Sequence, residues 1–442
     1  MTKTLAFYLL IFFVFPVLYG SDSLIDAHAE VDGYCQKTDE GESCGNKDAE
    51  INLTRLMGGE IGSTQTIKVN GEVEFNLKTL SKKPLILEVT NFLNSVECQH
   101  LIELAKKVGL KKSVTEQTGR DKTKTFQLMD RDLDSRINIS ETQNHSYGMH
   151  KGGDMRDIRE TRLQDIHVHK AFTLSLQMFE TLQNGFDIYL EEEDLKAMYK
   201  ELGMDPNGDN FVSQEEIQAV RPVELQHYLY KLVSQHPEKH SRYSHQAWLY
   251  PNKHSDDDIF RQVQARVSEL VGLPLDLVHL SDVQVVSYGV KGHYNAHWDS
   301  SERGHDAPCC ETGKPNQGRC KSCRYMTILF YLNDVEEGGE TAFPVADNET
   351  LNIQDISASR IGHLYKTCRD ANLRVRAEEG KAVLWYNHFV DPGTGWMGDM
   401  DLYTLHGGCP VFKGEKWIAN FWIKTTYSRE HDLQRMARLH DI

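Results

Sequence analysis

Tyr288-Gly-Val-Lys-Gly-His-Tyr-Asn-Ala-His297-Trp-Asp299 is the stretch that sets how the rest of the chain folds. A β-branched run, Val283-Gln-Val-Val286, feeds it, and Gly289 and Gly292 let the backbone turn before a second extended piece. Residues two apart on a strand point to one face, so His297 and Asp299 aim an imidazole and a carboxylate at one point. One nitrogen and one oxygen cannot hold a metal alone. His406, in Tyr403-Thr-Leu-His406-Gly-Gly408, is the candidate third ligand. Taken alone, His-x-Asp also arises by chance on a polar strand face.

Two histidines and a carboxylate on one face of an octahedron leave three open positions, the set used by non-haem Fe(II) oxygenases. Lys416 follows His406 by ten residues. Leu405–His406 and Lys416–Ile423 read as strand ends separated by Gly407, Gly408, Pro410 and Gly414, and are expected to lie side by side. An inward lysine on an apolar strand is costly unless it meets an anion. A dicarboxylate such as 2-oxoglutarate supplies one: its 1-carboxylate and 2-oxo group chelate the metal, and its far carboxylate pairs with the ammonium. The alternative is an exposed strand-edge lysine. His297, Asp299, His406 and Lys416 together favour the site, with all four as catalytic candidates.

These residues sit in longer motifs: Tyr288-Gly-x-x-Gly-His-Tyr-x-x-His297-x-Asp299, Arg324-Tyr-Met-Thr-Ile-Leu-Phe-Tyr-Leu-Asn333, Gly338-Gly-Glu-Thr-x-Phe-Pro344, Leu405-His-Gly-Gly-Cys409 and Lys416-Trp-Ile-Ala-Asn420. With them the sequence resembles the 2-oxoglutarate/Fe(II) prolyl 4-hydroxylases, and among these the transmembrane, endoplasmic-reticulum type. The resemblance runs from about Pro84 to Thr426. It implies that Tyr288, Thr327, Tyr331 and Trp422 line the co-substrate pocket with Lys416. It also implies that the cofactors are Fe(II), 2-oxoglutarate, O₂ and ascorbate, that a proline-containing peptide is hydroxylated at C4, and that succinate is released. Arg324 and Glu340 are candidates for the peptide groove. Trp396 and Tyr403 are candidates there too, equally readable as core or surface aromatics. A lysine, rather than an arginine, after the distal histidine is the collagen-type and transmembrane-type pattern, so substrate choice stays open between them.

The chain of 442 residues has 39% hydrophobic and 26% charged residues, ordinary for a globular protein with a core. Its formal charge of −16 speaks against a nucleic-acid footprint, which needs a basic face. Leu5–Tyr19 is apolar except for Pro16 and follows Lys3. Spanning a bilayer takes roughly 20 residues, so residues 1–20 read as a cleaved signal peptide, with a short uncleaved anchor as the alternative. The implied location is the endoplasmic reticulum lumen, or its membrane as a single-pass protein; only an uncleaved anchor would bring membrane association. Nine cysteines suit an oxidising compartment. Cys35 and Cys44 could close a local loop, and Cys309, Cys310, Cys320 and Cys323 crowd one stretch, as disulfides rather than a zinc clamp. The odd count leaves a thiol unpaired within one chain. Asn52, Asn138, Asn144 and Asn348 each begin N-x-S/T, making the chain a candidate glycoprotein.

Residues 21–83 are polar and weakly periodic and read as a loosely ordered lead-in, with a short strand at Thr66–Phe75. Leu85–Val89 reads as a strand, and Asn94 as the N-cap of an amphipathic helix over Val96–Val108. Glu224–Ser234 and Asp257–Leu273 read as helices. Val283–Tyr288, Met326–Leu332, Thr341–Val345, Ala382–Tyr386 and Ile418–Ile423 alternate as strands. The expected fold is α+β: a double-stranded β-helix, or jelly-roll, core with supporting helices. Residues 84–114 and 223–428 form this discontinuous catalytic domain, and 429–442 a helical tail. The Cys-rich stretch Ser300–Arg324 is either a lid beside Asp299 or a surface loop.

Residues 115–222 interrupt that pattern as an inserted helical EF-hand domain. Asp130, Asp132, Asp134, Arg136 (through its carbonyl), Asn138 and Glu141 stand at the ligand positions of one twelve-residue loop. Asp205, Asn207, Asp209, Phe211 (through its carbonyl), Ser213 and Glu216 do so in a second. Both lack the glycine expected at position 6. Asn210 tolerates a left-handed backbone there better than Ser135. Ca²⁺ is the implied ion; acidic solvated loops are the alternative. Two readings compete with an oxygenase: a calcium sensor whose barrel does not turn over, and a lectin-like jelly roll with a structural metal. The oligomeric state is not encoded legibly.

Overall fold

The computed structural model describes residues 36–38, 41–43, 51–69, 73–113, 137–138, 173–174, 192–206, 221–302, 308–310, 320–350 and 360–440. The chain divides into two compact units, Met1–Ile51 and Asn52–Ile442. In the first, Gln36–Thr38 and Gly41–Ser43 pair as an antiparallel hairpin.

The second unit is built on two antiparallel sheets. The larger has nine strands in the order Thr64–Val69, Val73–Lys82, Leu85–Val89, Ala382–Tyr386, Met326–Tyr331, Lys416–Ile423, Val283–Tyr288, His245–Leu249 and Lys111–Lys112. The smaller has five: Leu373–Val375, Thr341–Phe343, His406–Gly408, His293–His297 and Arg242–Tyr243. This layout is consistent with a jelly-roll core.

Alternation along the central strands sorts the side chains. Val283, Val285, Ile328, Phe330, Ala419 and Phe421 face one way and join the core against the helices Ser95–Val108 and Asp258–Val271. Val286, Tyr288, Leu329, Tyr331, Trp385 and Ile418 face the other way and pack with Phe343, Val375 and Val411 between the sheets. Each such buried side chain contributes about 1.5–3 kcal/mol. A slip of one residue would exchange the two sets, so the register is strongly specified. Asn94 does cap the first helix, in a capping box with Glu97, and Arg266 grips the same carboxylate at 2.7 Å. Asp257 caps the second, accepting from the Phe260 backbone N–H.

Three expectations are corrected. Within the lead-in, Thr64–Val69 and Val73–Lys82 pair antiparallel on the large sheet, more strand than the short one read at 66–75. Phe75, Leu77, Thr79 and Ser81 are buried at a period of two. Next, the strands carrying His406 and Lys416 are not side by side. One lies in the small sheet and the other in the large, because the turn after Gly408 crosses between sheets instead of closing a hairpin. Lastly, Trp396 does not line a groove. It is fully buried, and its indole N–H donates to Asp432 of the C-terminal helix Arg429–Ala437 at 2.9 Å.

Of the insertion, the helix Glu192–Glu201 is described, and the helix Pro222–Gln235 follows where the chain returns to the catalytic domain. Lys231 meets Glu201 at 3.3 Å, and Lys239 meets Asp194 at 2.5 Å. Ile137–Asn138 pairs with Thr173–Leu174. Apart from Asn138 and Asp205, the calcium-ligand positions lie outside the described residues, as do 1–20, Cys35, Cys44 and Asn144. No helix among the described residues is long and apolar enough to cross a membrane. Cys309–Cys323, Cys310–Cys320 and Cys368–Cys409 are disulfides, so the crowded cysteines offer no thiolate clamp. Cys98 is a free, buried thiol, pushed up to about 12 by burial.

Candidate active site

His297 ends its strand directly opposite His406 in the small sheet, with ring centroids 4.6 Å apart. Asp299 follows just beyond the strand end. Its Oδ1 lies 3.7 Å from His297 Nε2, and its Oδ2 3.4 Å from His406 Nε2. One ligand atom from each of the three residues falls within 4.8 Å of the others, and all three residues are buried. His297 Nδ1 lies 3.0 Å from the Asn295 carbonyl, and His406 Nδ1 2.8 Å from that of Thr404. A carbonyl only accepts, so each Nδ1 carries the proton and each Nε2 presents a lone pair inward. Two imidazole lone pairs and a carboxylate fit a divalent iron.

The electrostatics keep these groups in the form a metal needs. Burial pulls the His297 imidazole down to about 4. Burial by itself would raise the Asp299 carboxyl, but facing His406, His297 and Arg324 hold it far below the usual carboxylate range. Thr327 Oγ1 donates to Asp299 Oδ2 at 2.7 Å. Arg324 donates to the Asp299 carbonyl at 2.9 Å while its guanidinium lies 3.7 Å above the Trp422 ring.

Lys416 opens its strand on the inner face, 2% exposed, with its Nζ 5.5 Å from the Tyr288 ring centroid and 5.7 Å from that of Tyr331. Gly339, at φ +71°, makes room: a Cβ there would stand 3.4 Å from Lys416 Cδ, and one at Gly408 3.9 Å from Nζ. Burial pulls this lysine down to about 7, opposed by Glu340. Glu340 pairs instead with Arg374 at 3.5 Å. The Tyr331 hydroxyl donates to Thr341 Oγ1 at 2.7 Å. Tyr288 is buried beside Arg242 and Ser244, and burial raises its hydroxyl.

Comparison with known proteins agrees with this constellation. The model of the 2OG-Fe(II) oxygenase superfamily matches residues 283–424. The transmembrane prolyl 4-hydroxylase of Homo sapiens is 35% identical over 408 residues, 88% of this chain and 73% of that protein. The chain belongs to the prolyl 4-hydroxylases of the 2-oxoglutarate/Fe(II) oxygenase superfamily. Prolyl 4-hydroxylase subunit alpha-1 of Mus musculus is 30% identical over 203 residues, 46% of this chain and 29% of that protein. A viral collagen prolyl hydroxylase of Paramecium Bursaria Chlorella virus-1, in complex with 2OG, is 25% identical and covers 41% of this chain and 78% of its own, with a TM-score of 0.25, too low to bear on the fold.

Membership in the prolyl 4-hydroxylases makes the chain an oxygenase using Fe(II), 2-oxoglutarate and O₂. Within that frame the structure brings His297, Asp299, His406, Lys416, Tyr288, Thr327, Tyr331 and Trp422 to the interior between the sheets. Arg324 lies against Asp299 rather than out along a groove. Glu340 is half-buried on Arg374. Tyr403 sits under Lys83, whose Nζ is 4.2 Å from its ring. Thr341, read with Gly338, Gly339 and Glu340 as groove lining, meets the Tyr331 hydroxyl instead. Sequence reasoning missed three residues. Tyr294, stacked on His297 at 3.7 Å, was inside the first motif. Trp385, 4.6 Å from the His406 ring, was legible only as an alternating strand residue. Asn387, just past that strand, carried no periodic signal.

Proposed function

We propose that this chain hydroxylates peptidyl proline at C4, with Fe(II) held by His297, Asp299 and His406 and 2-oxoglutarate gripped by Lys416. The observation that carries the reading is the shared interior: three inward ligand atoms and a buried ammonium whose acidic neighbour, Glu340, is engaged with Arg374. Bound iron supplies the oxidising chemistry by which 2-oxoglutarate, O₂ and a C–H bond become succinate, CO₂ and an alcohol. The residues do the rest. Lys416 pairs with the far carboxylate, beside the Tyr331–Thr341 hydroxyl pair. Burial around Tyr288 and Trp422 excludes water. Arg324 steadies Asp299 at the side nearest Trp422, where a peptide would approach. Ascorbate sustains the enzyme. The human relative named above, 35% identical over 88% of this chain, supports proline as the target.

The two acidic loops, at 130–141 and 205–216, bind Ca²⁺ and modulate the barrel through the insertion. The compartment is the endoplasmic reticulum lumen, or its membrane if the N-terminal run anchors the chain. The three disulfides and the N-x-S/T sites support this location. The test is succinate release from the purified protein with Fe(II), ascorbate and proline peptides, with mass spectrometry of the peptide for 4-hydroxyproline. Succinate that depends on a proline and disappears in His406→Ala is the expected result. None with any peptide would leave a calcium-binding module with a silent barrel.

A further inference from the structure

Asp299 is reached by a chain of hydrogen bonds whose direction is set at its far end. The Trp385 indole Nε1–H can only donate, and it donates to Asn387 Oδ1 at 3.0 Å. That fixes the amide: Asn387 Oδ1 faces the indole and Nδ2 faces Thr327 Oγ1, 2.9 Å away. With an N–H arriving at its oxygen, the single Thr327 hydroxyl proton has one acceptor left, Asp299 Oδ2 at 2.7 Å. All three relay residues are fully buried, so no water competes for these bonds.

We propose that Asn387 is a positioning residue for the metal site: fixed by Trp385, it locks Thr327 as a donor to Asp299 Oδ2 and leaves Oδ1 as the oxygen offered to the metal. This rests on the iron assignment made above. The relay keeps the carboxylate from rotating and from taking up a proton at Oδ2. Outer partners of this kind are worth about 10–100-fold in metal affinity.

The test is Co(II) titration of the full chain without co-substrate, followed by visible absorption, beside melting curves of the metal-free proteins. Thr327→Val removes the donor with little change in shape. Asn387→Asp reverses the relay, because its carboxylate accepts from both neighbours and turns the hydroxyl lone pair toward Asp299. Both variants are expected to bind Co(II) about 10–100-fold more weakly with altered ligand-field bands, and Thr327→Ser to bind as the unchanged protein does. Wild-type affinity and spectrum in Thr327→Val would overturn the relay. So would a fall in melting temperature with unchanged Co(II) affinity, which is the mark of a purely structural role. If the unchanged protein binds no Co(II), the metal assignment fails first, and the relay with it.

Discussion

The two ends of the site are buried alike and compensated differently. At the histidine end the ligand side chains are held by protein partners. Nδ1 of His297 and of His406 donates to a carbonyl two residues back, and Asp299 accepts a hydrogen bond from Thr327 with the Arg324 guanidinium alongside. Its charges are balanced within the protein, so the donors are set before any ion arrives. At the lysine end a 2%-exposed ammonium is lined by two tyrosine rings, and its acidic neighbour Glu340 is engaged with Arg374. On the proposed reading, it is an organic acid that balances this charge. Where charge is already balanced, a ligand meets preformed geometry. Where it is not, the ligand itself completes the electrostatics, and the protein carries a stability cost without it.

The largest expected effect is at the histidine end. Asp299→Ala or His406→Ala should lower succinate release by more than about 100-fold, beyond what outer partners are worth. The variants should melt near the unchanged protein, which separates lost chemistry from lost fold. At the other end, Lys416→Met should raise the KM for 2-oxoglutarate roughly 30-fold or more, as expected when one partner of a buried charge pair is removed. The same variant should melt higher without ligand, since it deletes an uncompensated buried charge. Lower melting would show that the two ends are compensated alike after all.

The pH dependence sharpens the contrast further. The free lysine, pulled down to about 7, loses its proton above that pH, so 2-oxoglutarate affinity should fall about tenfold per unit as pH rises past it. The ligand-free protein should behave oppositely. The unfolded chain holds the lysine proton up to 10.5, so between about 7 and 10.5 stability should rise with pH relative to Lys416→Met. A flat co-substrate profile across that window would remove the claim that the ammonium grips the acid. The smallest effect is calcium's: adding Ca²⁺ should shift melting by a few degrees, through binding to the folded insertion. Curves that do not move on chelation would dissociate the insertion from the barrel.

Much of this architecture was legible beforehand, for local reasons. Alternation put His297 and Asp299 on one face and made Lys416 inward, and Asn94 announced its helix through the residue types that satisfy a first turn. Other features were illegible for equally physical reasons. The turn after Gly408 could close a hairpin or cross between sheets, and its local sequence suits both. Whether Trp396 met solvent or a core depended on Asp432, far along the chain. The Phe75–Ser81 alternation is half polar, and only packing against Phe92 and the core around it made it a core face. Asn387 is an unremarkable polar residue until an indole and a hydroxyl close on it from two directions.

Residue type and spacing, then, determined by themselves which side chains were available: two imidazoles and a carboxylate for a metal, an ammonium for an acid, and the strands to carry them inward. Those are properties of the covalent chain and of the strand's period of two. Only the tertiary structure decided which atoms face one another, which nitrogen keeps its proton, and that His406 and Lys416 look across from opposite sheets. Such matters depend on contacts between residues distant in sequence, and no local periodicity records those.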